Sequence, residues 1–384
     1  MVGRKILENI KLSCEKMLFG GLGLCRTENG VVFAEGLLPN ETAECLQIGK
    51  SGGISIFKAQ KILEKSPFRR EHFCKYFGIC GGCDWQFMEY DFQRLCKKEI
   101  FEDVMRRIGK IHDFAEPQIF FADEKNYRIR VKFSLDKKVK KIGFLSKKSH
   151  KIIDVETCPL VSQNINSFLE NKNRIFEQNF NSKEIKLIDC GSQTVSSLDK
   201  KTGEIGVGKY KFEVDGNSFF QANKFITPTM VDWCEDNVFE CENLFDIYGG
   251  VGLFSAFCSK KVKNITLLEI DEIMAKTAQR NFDKNKIKSA KAFGLSAEKS
   301  IKSINVKPDC VIIDPPRIGL SKEVRNGINS LSPQKIIYIS CDISTQCRDC
   351  NFFVNECGYK IEKTAVFDCY PNTFHIESGV VLAK

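Results

Sequence analysis

The chain has 384 residues, of which 42% are hydrophobic and 28% are charged. A chain of this length and composition forms two or three domains with packed cores, which excludes a wholly disordered, collagen-like or fibrous protein. The 58 lysines and arginines exceed the 49 acids and leave a net charge of +9, which favours a polyanionic partner.

The N-terminal residues carry a charge every few positions, so they lack the apolar core of a signal peptide. No run reaches the roughly 18–20 apolar residues that a membrane helix needs. The chain nevertheless has 18 cysteines. We therefore expect a reduced, cytoplasmic protein with no membrane partner, whose cysteines are free, catalytic or metal-bound.

Short strands separated by glycine turns are predicted from Ile6 to about Ile62. Within them, Glu28-Asn29-Gly30 has the composition of a hairpin turn. The segment is long enough for a five-stranded barrel of the kind that binds nucleic acid, although a purely structural barrel fits the pattern equally well. We assign residues 1–62 to this barrel.

Three cysteines, Cys74, Cys80 and Cys83, fall within ten residues, and two glycines separate the last two. In a reduced protein, so compact a cysteine loop favours metal ligation over packing. Four thiolates suit either zinc or an iron–sulfur cluster, so the ligand type does not separate these two. From the residues alone, Cys96 or Cys190 could supply the fourth thiolate.

A helix is predicted over about residues 91–108, and an α+β pattern runs from Asn126 to about Gly216. We assign residues 63–216 to a central module that holds the cysteine loop, this helix and the α+β region. From Asp136 to Lys151 the module has one acid and seven lysines. This run is either a solvated hairpin or a surface that contacts phosphates. The lysines are Lys137, Lys138, Lys140, Lys141, Lys147, Lys148 and Lys151.

Beyond Gly216 apolar strands alternate with longer helical stretches, which predicts βαβ units and a parallel sheet over residues 217–384. The first strand leads into a loop with Gly249, Gly250 and Gly252, and the next strand ends at Glu269. Such a loop lets a ligand approach the backbone, and an acid at the second strand end can bind ribose hydroxyls.

Ser255 stands where a dinucleotide fingerprint has its third glycine. A tight pyrophosphate turn is therefore less favoured than a nucleoside ligand without phosphates, such as S-adenosylmethionine. The alternative is that this loop is a βα turn that binds no ligand and has only a structural role.

Further chemically active residues follow the later strands. Asp314 ends one strand and precedes two prolines and Arg317, and Cys341 ends the next strand. Both belong to the same sheet edge as the glycine loop, where ligands bind in such folds. Without that position, Cys341 would be interpreted as an inert packing cysteine. From the residues alone, Glu377, near the C-terminus, could simply be a surface acid of a strand.

Six segments occur together in the order found in the RNA 5-methyluridine methyltransferase family, which this chain resembles. They are FFQAN (219–223), FDIYGGVG (245–252), LLEID (267–271), IIDPPRIGL (312–320), YISCDISTQCRD (338–349) and DCYPNTFHIE (368–377).

The resemblance extends upstream. The N-terminal segment, with VVFAEGLLPNE, resembles a TRAM barrel, and Cys74, Cys80, Cys83 and Cys158 resemble the [4Fe–4S] ligands of the branch that acts on 23S ribosomal RNA. The resemblance thus selects an iron–sulfur cluster over zinc. It also implies a Rossmann-like methyltransferase domain for residues 217–384, so the expected fold class is α/β with an N-terminal barrel and a central α+β module.

The resemblance also assigns roles. It implies that Cys341 adds to C6 of a flipped-out uracil, which makes C5 nucleophilic, and that Glu377 removes the C5 proton after methyl transfer. The cofactor S-adenosylmethionine would be bound by Gln221, Tyr248, Glu269 and Asp314. The partner is RNA, and no obligate protein partner is implied.

Two departures from the family pattern are Leu253, where asparagine is common, and Asp342, where asparagine follows the nucleophile. At Leu253 we expect one polar interaction with the methionine moiety to be missing. At Asp342 we expect an acid that raises the pKa of the Cys341 thiol. Two alternatives stay open: methylation of tRNA by the same chemistry, and a metal-stabilised RNA-binding protein with an inactive methyltransferase domain.

Overall fold

The computed structural model describes residues 9–147, 149–177, 181–301 and 306–384. The chain divides into two compact units. Unit 1 consists of Met1–Ile100 and Tyr370–His375, and unit 2 of Phe101–Cys369 and Ile376–Lys384. The predicted boundaries near residues 62 and 216 stay predictions.

Unit 1 contains a closed five-stranded barrel in the order β1-β2-β3-β5-β4, which confirms the predicted barrel. All neighbouring strands are antiparallel except β3 and β5. Alternate side chains such as Leu12 and Cys14 fill its core, as expected for strands with one buried face. The predicted hairpin turn joins β2 to β3, and Gly30 at its end has a positive φ of 111°. The strands are β1 (Asn9–Met17), β2 (Gly23–Thr27), β3 (Gly30–Glu35), β4 (Thr42–Ser51) and β5 (Ile54–Glu64).

The cysteine loop follows the barrel and leads to helix α1 (Tyr90–Arg107). This helix confirms the prediction over residues 91–108 to within one residue at each end. Asp91 in the first turn and two arginines in the last turn complement the helix dipole.

Unit 2 includes a short strand, β6 (Gln118–Phe120), and an α+β region that agrees with the predicted pattern. Its five-stranded sheet has the order β11-β10-β7-β8-β9, and β12 pairs with β13 in a separate hairpin. The strands are β7 (Arg130–Asp136), β8 (Lys141–Leu145), β9 (Ile152–Asp154), β10 (Glu184–Asp189), β11 (Thr194–Ser196), β12 (Thr202–Val207) and β13 (Tyr210–Asp215).

The helical stretch predicted within this region forms two short helices, α2 (Gln163–Glu170) and α3 (Asn173–Phe176). Asn171 ends α2 because its backbone leaves the helical conformation. Asparagine has a low helix propensity, which is consistent with an interruption there.

The lysine run forms the β7–β8 hairpin and the loop after β8. The Asp136 carboxylate accepts hydrogen bonds from the backbone N–H groups of Lys138 and Val139 and so stabilises the turn. Five of the lysines are exposed, and Lys148 lies outside the described residues. The exposed lysines are Lys137, Lys138, Lys140, Lys141 and Lys151.

The rest of unit 2 is built on an eight-stranded sheet, in which helices alternate with strands as predicted. The strands are β6, β14 (Cys241–Ile247), β15 (Val262–Glu269), β16 (Ala290–Gly294), β17 (Cys310–Ile313), β18 (Lys335–Ser340), β19 (Lys360–Phe367) and β20 (Glu377–Ala383). The helices are α4 (Thr227–Asn237), α5 (Leu253–Cys258), α6 (Glu272–Lys284), α7 (Ala297–Ser300), α8 (Lys322–Leu331), α9 (Ile343–Asn351) and a π-helix (Phe352–Glu356).

The strand order is β16-β15-β14-β17-β18-β20-β19-β6. The prediction of a parallel sheet holds for β14 to β18 and is wrong for β20, which is antiparallel to both its neighbours because β19 and β20 form a hairpin at the C-terminus. Strands β15 and β16 lie on one side of β14, and β17 and β18 lie on the other. The order therefore reverses between β14 and β17, and ligands of such sheets bind at the carboxyl ends of the strands beside that point.

Candidate active site

The glycine loop lies at the carboxyl end of β14. Tyr248, Gly250 and Gly252 all have a positive φ, of 66°, 55° and 87°. At Gly249 a Cβ would lie only 2.4 Å from Cγ of Leu267, so glycine is required there for steric reasons. The loop therefore passes close to β15, while a Cβ at Gly250 would meet no atom within 4 Å.

Glu269, at the carboxyl end of β15, holds this loop. Its carboxylate accepts hydrogen bonds from N–H of Gly250 at 3.1 Å and from N–H of Asp271 at 2.9 Å. The side chain is buried. Since each carboxylate oxygen has a second lone pair, Glu269 retains the capacity to accept bonds from ligand hydroxyls.

Asp246 is a site residue that sequence reasoning missed. Ser255 donates to its Oδ2 from the hydroxyl at 2.6 Å and from the backbone N–H at 3.2 Å, while Oδ1 has no partner among the described residues. Burial raises the pKa of Asp246 to about 6. Ser255, which replaces a fingerprint glycine, thus anchors a carboxyl beneath the loop. The sequence signal that could have identified Asp246 is the presence of an aspartate inside an otherwise apolar strand.

Asp314 follows β17, and Gln221 donates to its Oδ2 from Nε2 at 3.3 Å. Gln221 and Asp314, which are both predicted to bind the cofactor, are therefore hydrogen-bonded to each other. Removal of water and the nearby Asp246 carboxylate raise the pKa of Asp314 to about 7, although the Gln221 hydrogen bond opposes this.

Cys341 and Glu377 come together at the same sheet edge. Ser340, the last residue of β18, pairs with Ser378 of β20 in antiparallel register. Cys341 directly follows Ser340 and Glu377 directly precedes Ser378, so the register places them opposite each other. Cys341 is half-buried and Glu377 is buried.

The surroundings of this pair disfavour negative charge. Burial, and then the carboxylates of Glu377 and Asp314, raise the pKa of the Cys341 thiol to about 12. Burial and Asp314 raise the pKa of Glu377 well above its usual range. The Arg317 guanidinium opposes both shifts, because a nearby positive charge favours the thiolate and the carboxylate. Sequence reasoning gave Arg317 no role at this site.

Replacing Arg317 with leucine is expected to slow the reaction of the Cys341 thiol. Loss of the cation raises a thiol pKa that already lies near 12, so the thiolate fraction at neutral pH falls about ten-fold for each added unit. The measurement is the rate of alkylation of Cys341 by iodoacetamide against pH. Arg317→Lys keeps the charge and is the control. Equal rates in the leucine variant and the native protein would contradict this role.

The two departures from the family pattern have structural roles here. Leu253 is buried at the first residue of α5. The Asp342 carboxylate caps α9 by accepting from the N–H groups of Ser344 and Thr345 at 3.0 and 3.1 Å. The expectation that Asp342 raises the pKa of Cys341 is wrong, because that pKa is raised by burial, Glu377 and Asp314.

The cysteine loop lies in unit 1, and two of its sulfurs accept hydrogen bonds. Gln86 donates from Nε2 to Sγ of Cys83 at 3.2 Å, and N–H of Gly82 points to Sγ of Cys80 at 3.4 Å. Amide donors to sulfur are typical of iron–sulfur sites. Among the described residues, however, no group of three or more His, Cys, Asp or Glu side chains is arranged to hold a metal ion.

The other cysteines considered as ligands lie elsewhere in the sequence. Cys158 belongs to unit 2, where its N–H and C=O bond to the Asn166 amide. Cys96 is buried in α1, and Cys190 directly follows β10. The four-cysteine cluster stays a prediction.

In the described part of the chain, no helix has the length and apolar character to cross a membrane.

Comparisons with known proteins agree with this geometry. Residues 196–384 match the family model described as tRNA (Uracil-5-)-methyltransferase. This confirms the resemblance at the level of RNA uracil-5-methyltransferases, while the TRAM domain, the cluster and the 23S branch stay predictions.

The chain is similar over nearly its whole length to several proteins. An uncharacterized RNA methyltransferase of Thermotoga maritima is 26% identical, with 99% of each chain covered. The tRNA (uracil(54)-C(5))-methyltransferase of Schizosaccharomyces pombe is 27% identical, covering 98% of this chain and 78% of that protein. The crystal structure of Pyrococcus abyssi tRNA (uracil-54, C5)-methyltransferase with S-adenosyl-L-homocysteine has a TM-score of 0.76 and 20% identity, covering 97% of this chain and all of that one.

Proposed function

We propose that this chain, whose residues 196–384 match the model of the tRNA (uracil-5-)-methyltransferase family, is a cytoplasmic, S-adenosylmethionine-dependent enzyme that methylates C5 of a uracil base in 23S ribosomal RNA. The observation that carries the proposal is the juxtaposition of Cys341 and Glu377 at the sheet edge where the glycine loop also lies. A thiol and a carboxyl at one edge of the sheet are the two groups that this chemistry requires.

S-adenosylmethionine would supply an electrophilic methyl group on a sulfonium, held by Gln221, Tyr248, Glu269 and Asp314. Glu269 ends β15 and Asp314 follows β17, and these two strands flank β14. Gln221 is hydrogen-bonded to Asp314, so these groups lie at the point where the strand order reverses. The positive sulfonium also offsets the repulsion among the carboxyls there, which favours ionisation of Cys341.

The chemistry begins at Cys341. Its thiolate forms a bond to C6 of the uracil, and the C5–C6 π electrons pass into an enolate. C5 then forms a bond to the methyl group while the methyl–sulfur bond breaks, which leaves S-adenosylhomocysteine. Glu377 takes the proton from C5, the C6–sulfur bond breaks, the C5–C6 double bond returns and Cys341 leaves as thiolate.

The assay for this function is methyl transfer with nucleoside mass spectrometry of the product. Purified protein, S-adenosylmethionine and unmodified RNA are expected to give 5-methyluridine. Formation of a methylated nucleoside other than 5-methyluridine would refute the assigned atom, and absence of any methylation would favour an inactive RNA-binding protein.

The choice of RNA rests on the N-terminal half. A five-stranded barrel and a loop of three cysteines before the catalytic half resemble the ribosomal RNA branch, and this supports 23S ribosomal RNA. A tRNA substrate is the second candidate, because two proteins similar to this chain are named for uracil 54 of tRNA. Parallel reactions on transcripts of 23S ribosomal RNA and tRNA distinguish them, since methylation of tRNA alone would overturn the first choice.

The exposed lysine hairpin between β7 and β8 is expected to contact RNA phosphates. Replacing Lys138, Lys140 and Lys141 with alanine should weaken RNA binding and reduce the slope of log affinity against log salt by about 0.7–0.9 for each phosphate that the variant no longer neutralises. The measurement is a filter-binding titration at several salt concentrations. The control removes three exposed lysines elsewhere in unit 2, and an unchanged slope in the hairpin variant would show that the hairpin is only solvated. The control lysines are Lys288, Lys291 and Lys322.

We propose a [4Fe–4S] cluster on Cys74, Cys80, Cys83 and Cys158, whose contribution is to fold the loop. Protein purified without oxygen should contain about four iron atoms per chain and absorb in the visible range. Cys83→Ser should lose most of the iron, whereas Cys357→Ser, a half-buried cysteine outside this set, should retain it. Zinc in place of iron would contradict the cluster.

A further inference from the structure

Six residues that precede Glu377 belong to unit 1. The chain enters unit 1 at Tyr370 and returns to unit 2 at Ile376, directly before Glu377. The position of Glu377 in the sequence is thus two residues from a segment that unit 1 holds. We call Tyr370–His375 the turn segment.

Asn372 is the centre of the turn segment. It is fully buried, and its φ of 66° lies in the left-handed region that asparagine tolerates. Its C=O accepts from the N–H groups of Asp84 and Trp85, both at 3.0 Å. Its Oδ1 accepts from Arg70 at 2.9 Å and from Nε2 of Gln93 at 3.3 Å.

Gln93, in α1, bonds to Asn372 twice. Its Oε1 accepts from the backbone N–H of Asn372 at 2.8 Å, while its Nε2 donates to the side-chain oxygen. Gln93 is fully buried, and its Nε2 also donates to the C=O groups of Trp85 and Met88. One amide therefore ties the turn segment to the residues just beyond the cysteine loop.

The same contacts lead directly to the cysteine loop. Asp84 and Trp85 immediately follow Cys83 in the sequence. Gln86 binds the loop at both ends, since its Oε1 accepts from N–H of Cys74 and its Nε2 donates to Sγ of Cys83, each at 3.2 Å. A change in the loop therefore reaches Asn372 through backbone hydrogen bonds.

A second point of attachment fixes the start of the turn segment. Nζ of Lys97, which is also in α1 and fully buried, donates to C=O of Tyr370 at 3.0 Å. Near its end, the ring of Phe374 packs edge-on against Phe19, with the centroids 6.2 Å apart. The turn segment is thus held along its length by α1, by the residues that follow the cysteine loop and by the connection between β1 and β2.

We propose that Gln93 and Asn372 are positioning residues for Glu377, and that through them the cysteine loop controls the release step of the reaction. This inference rests on the proposed function. Cys341, Tyr248, Glu269 and Asp314 lie at the ends of other strands of unit 2, whereas Glu377 is two residues from the turn segment. Displacing it should spare addition and methyl transfer but slow removal of the C5 proton, because small misplacements of a catalytic group cost about a hundred-fold in rate.

The test uses two variants of the full-length protein. Gln93→Ala removes both bonds to Asn372, and Asn372→Gly removes the side chain while glycine keeps the left-handed conformation. The control is Gln334→Ala, an exposed glutamine that directly precedes β18 and so lies at the opposite end of that strand from Cys341. Each protein is mixed with S-adenosylmethionine and transcripts of 23S ribosomal RNA and tRNA that contain ordinary uridine.

Two quantities are measured: the methylated covalent enzyme–RNA complex on denaturing gels, and free 5-methyluridine by mass spectrometry. In Gln93→Ala and Asn372→Gly the complex should form at the native rate but persist, because the release of free 5-methyluridine slows by about a hundred-fold. As a third readout, hydrogen exchange of the peptide that covers residues 370–377 should be faster in both variants. The Gln334→Ala protein should match the native protein in all three measurements.

The inference is wrong if complex formation and product release fall by the same factor, which a general folding defect would cause. It is also wrong if both variants release 5-methyluridine at the native rate. Failure of the native protein to form any complex or product would instead refute the proposed function.

Discussion

Cys341→Ala is expected to abolish methyl transfer and to prevent any covalent complex with RNA. Without the thiolate, C5 of uracil has no route to an enolate, and removal of a covalent nucleophile typically costs about 10⁴-fold or more. The direct measurement uses RNA that contains 5-fluorouracil and mass spectrometry of the product. Fluorine at C5 blocks the final elimination, so the native protein should accumulate a stable, methylated complex.

The matched control for this substitution is Cys357→Ala. Cys357 is also half-buried, but it follows the π-helix and is not placed opposite Glu377. It should form the complex at the native rate. A complex that persists in Cys341→Ala would refute the role of this thiol, and so would loss of the complex in both variants.

The complex should also form faster as the pH rises. The pKa of Cys341 lies near 12, so at any pH well below this value the thiolate fraction increases about ten-fold per unit. A rate of complex formation that is flat between pH 6 and 9 would show that ligand binding has already ionised the thiol.

The glycine loop and the strand-end acids could be predicted from the sequence because their signals are local. An apolar strand, a run of glycines and an acid at the next strand end all lie within about two dozen residues of each other. The barrel was predictable for the same reason, since its strands are joined by short turns in chain order.

The pairing of Cys341 with Glu377 could be inferred only from the family resemblance. It depends on β20 lying between β18 and β19, antiparallel to both, and no local pattern specifies that register. The roles of Arg317 and Asp342 were missed for a related reason. A charged side chain can reach a neighbouring strand or cap its own helix, and only the fold decides between these outcomes.

The second large effect is expected from Glu377→Gln, which should separate the two halves of the reaction. Glutamine keeps the shape of the side chain but does not accept the C5 proton. Methyl transfer should therefore proceed once, and the methylated complex should persist even on RNA with ordinary uridine. Loss of a general base typically costs about 10²–10⁴-fold in turnover.

The same substitution should leave the first half of the reaction nearly unchanged close to neutral pH. Burial and Asp314 raise the pKa of Glu377 well above its usual range, which favours its neutral form, so glutamine alters the charge beside Cys341 little. Stopped reactions near pH 7 should show complex formation at the native rate, with almost no 5-methyluridine released. Glu323→Gln, an exposed acid in α8, is the control and should change neither rate. Native release from Glu377→Gln would assign the C5 proton to another base.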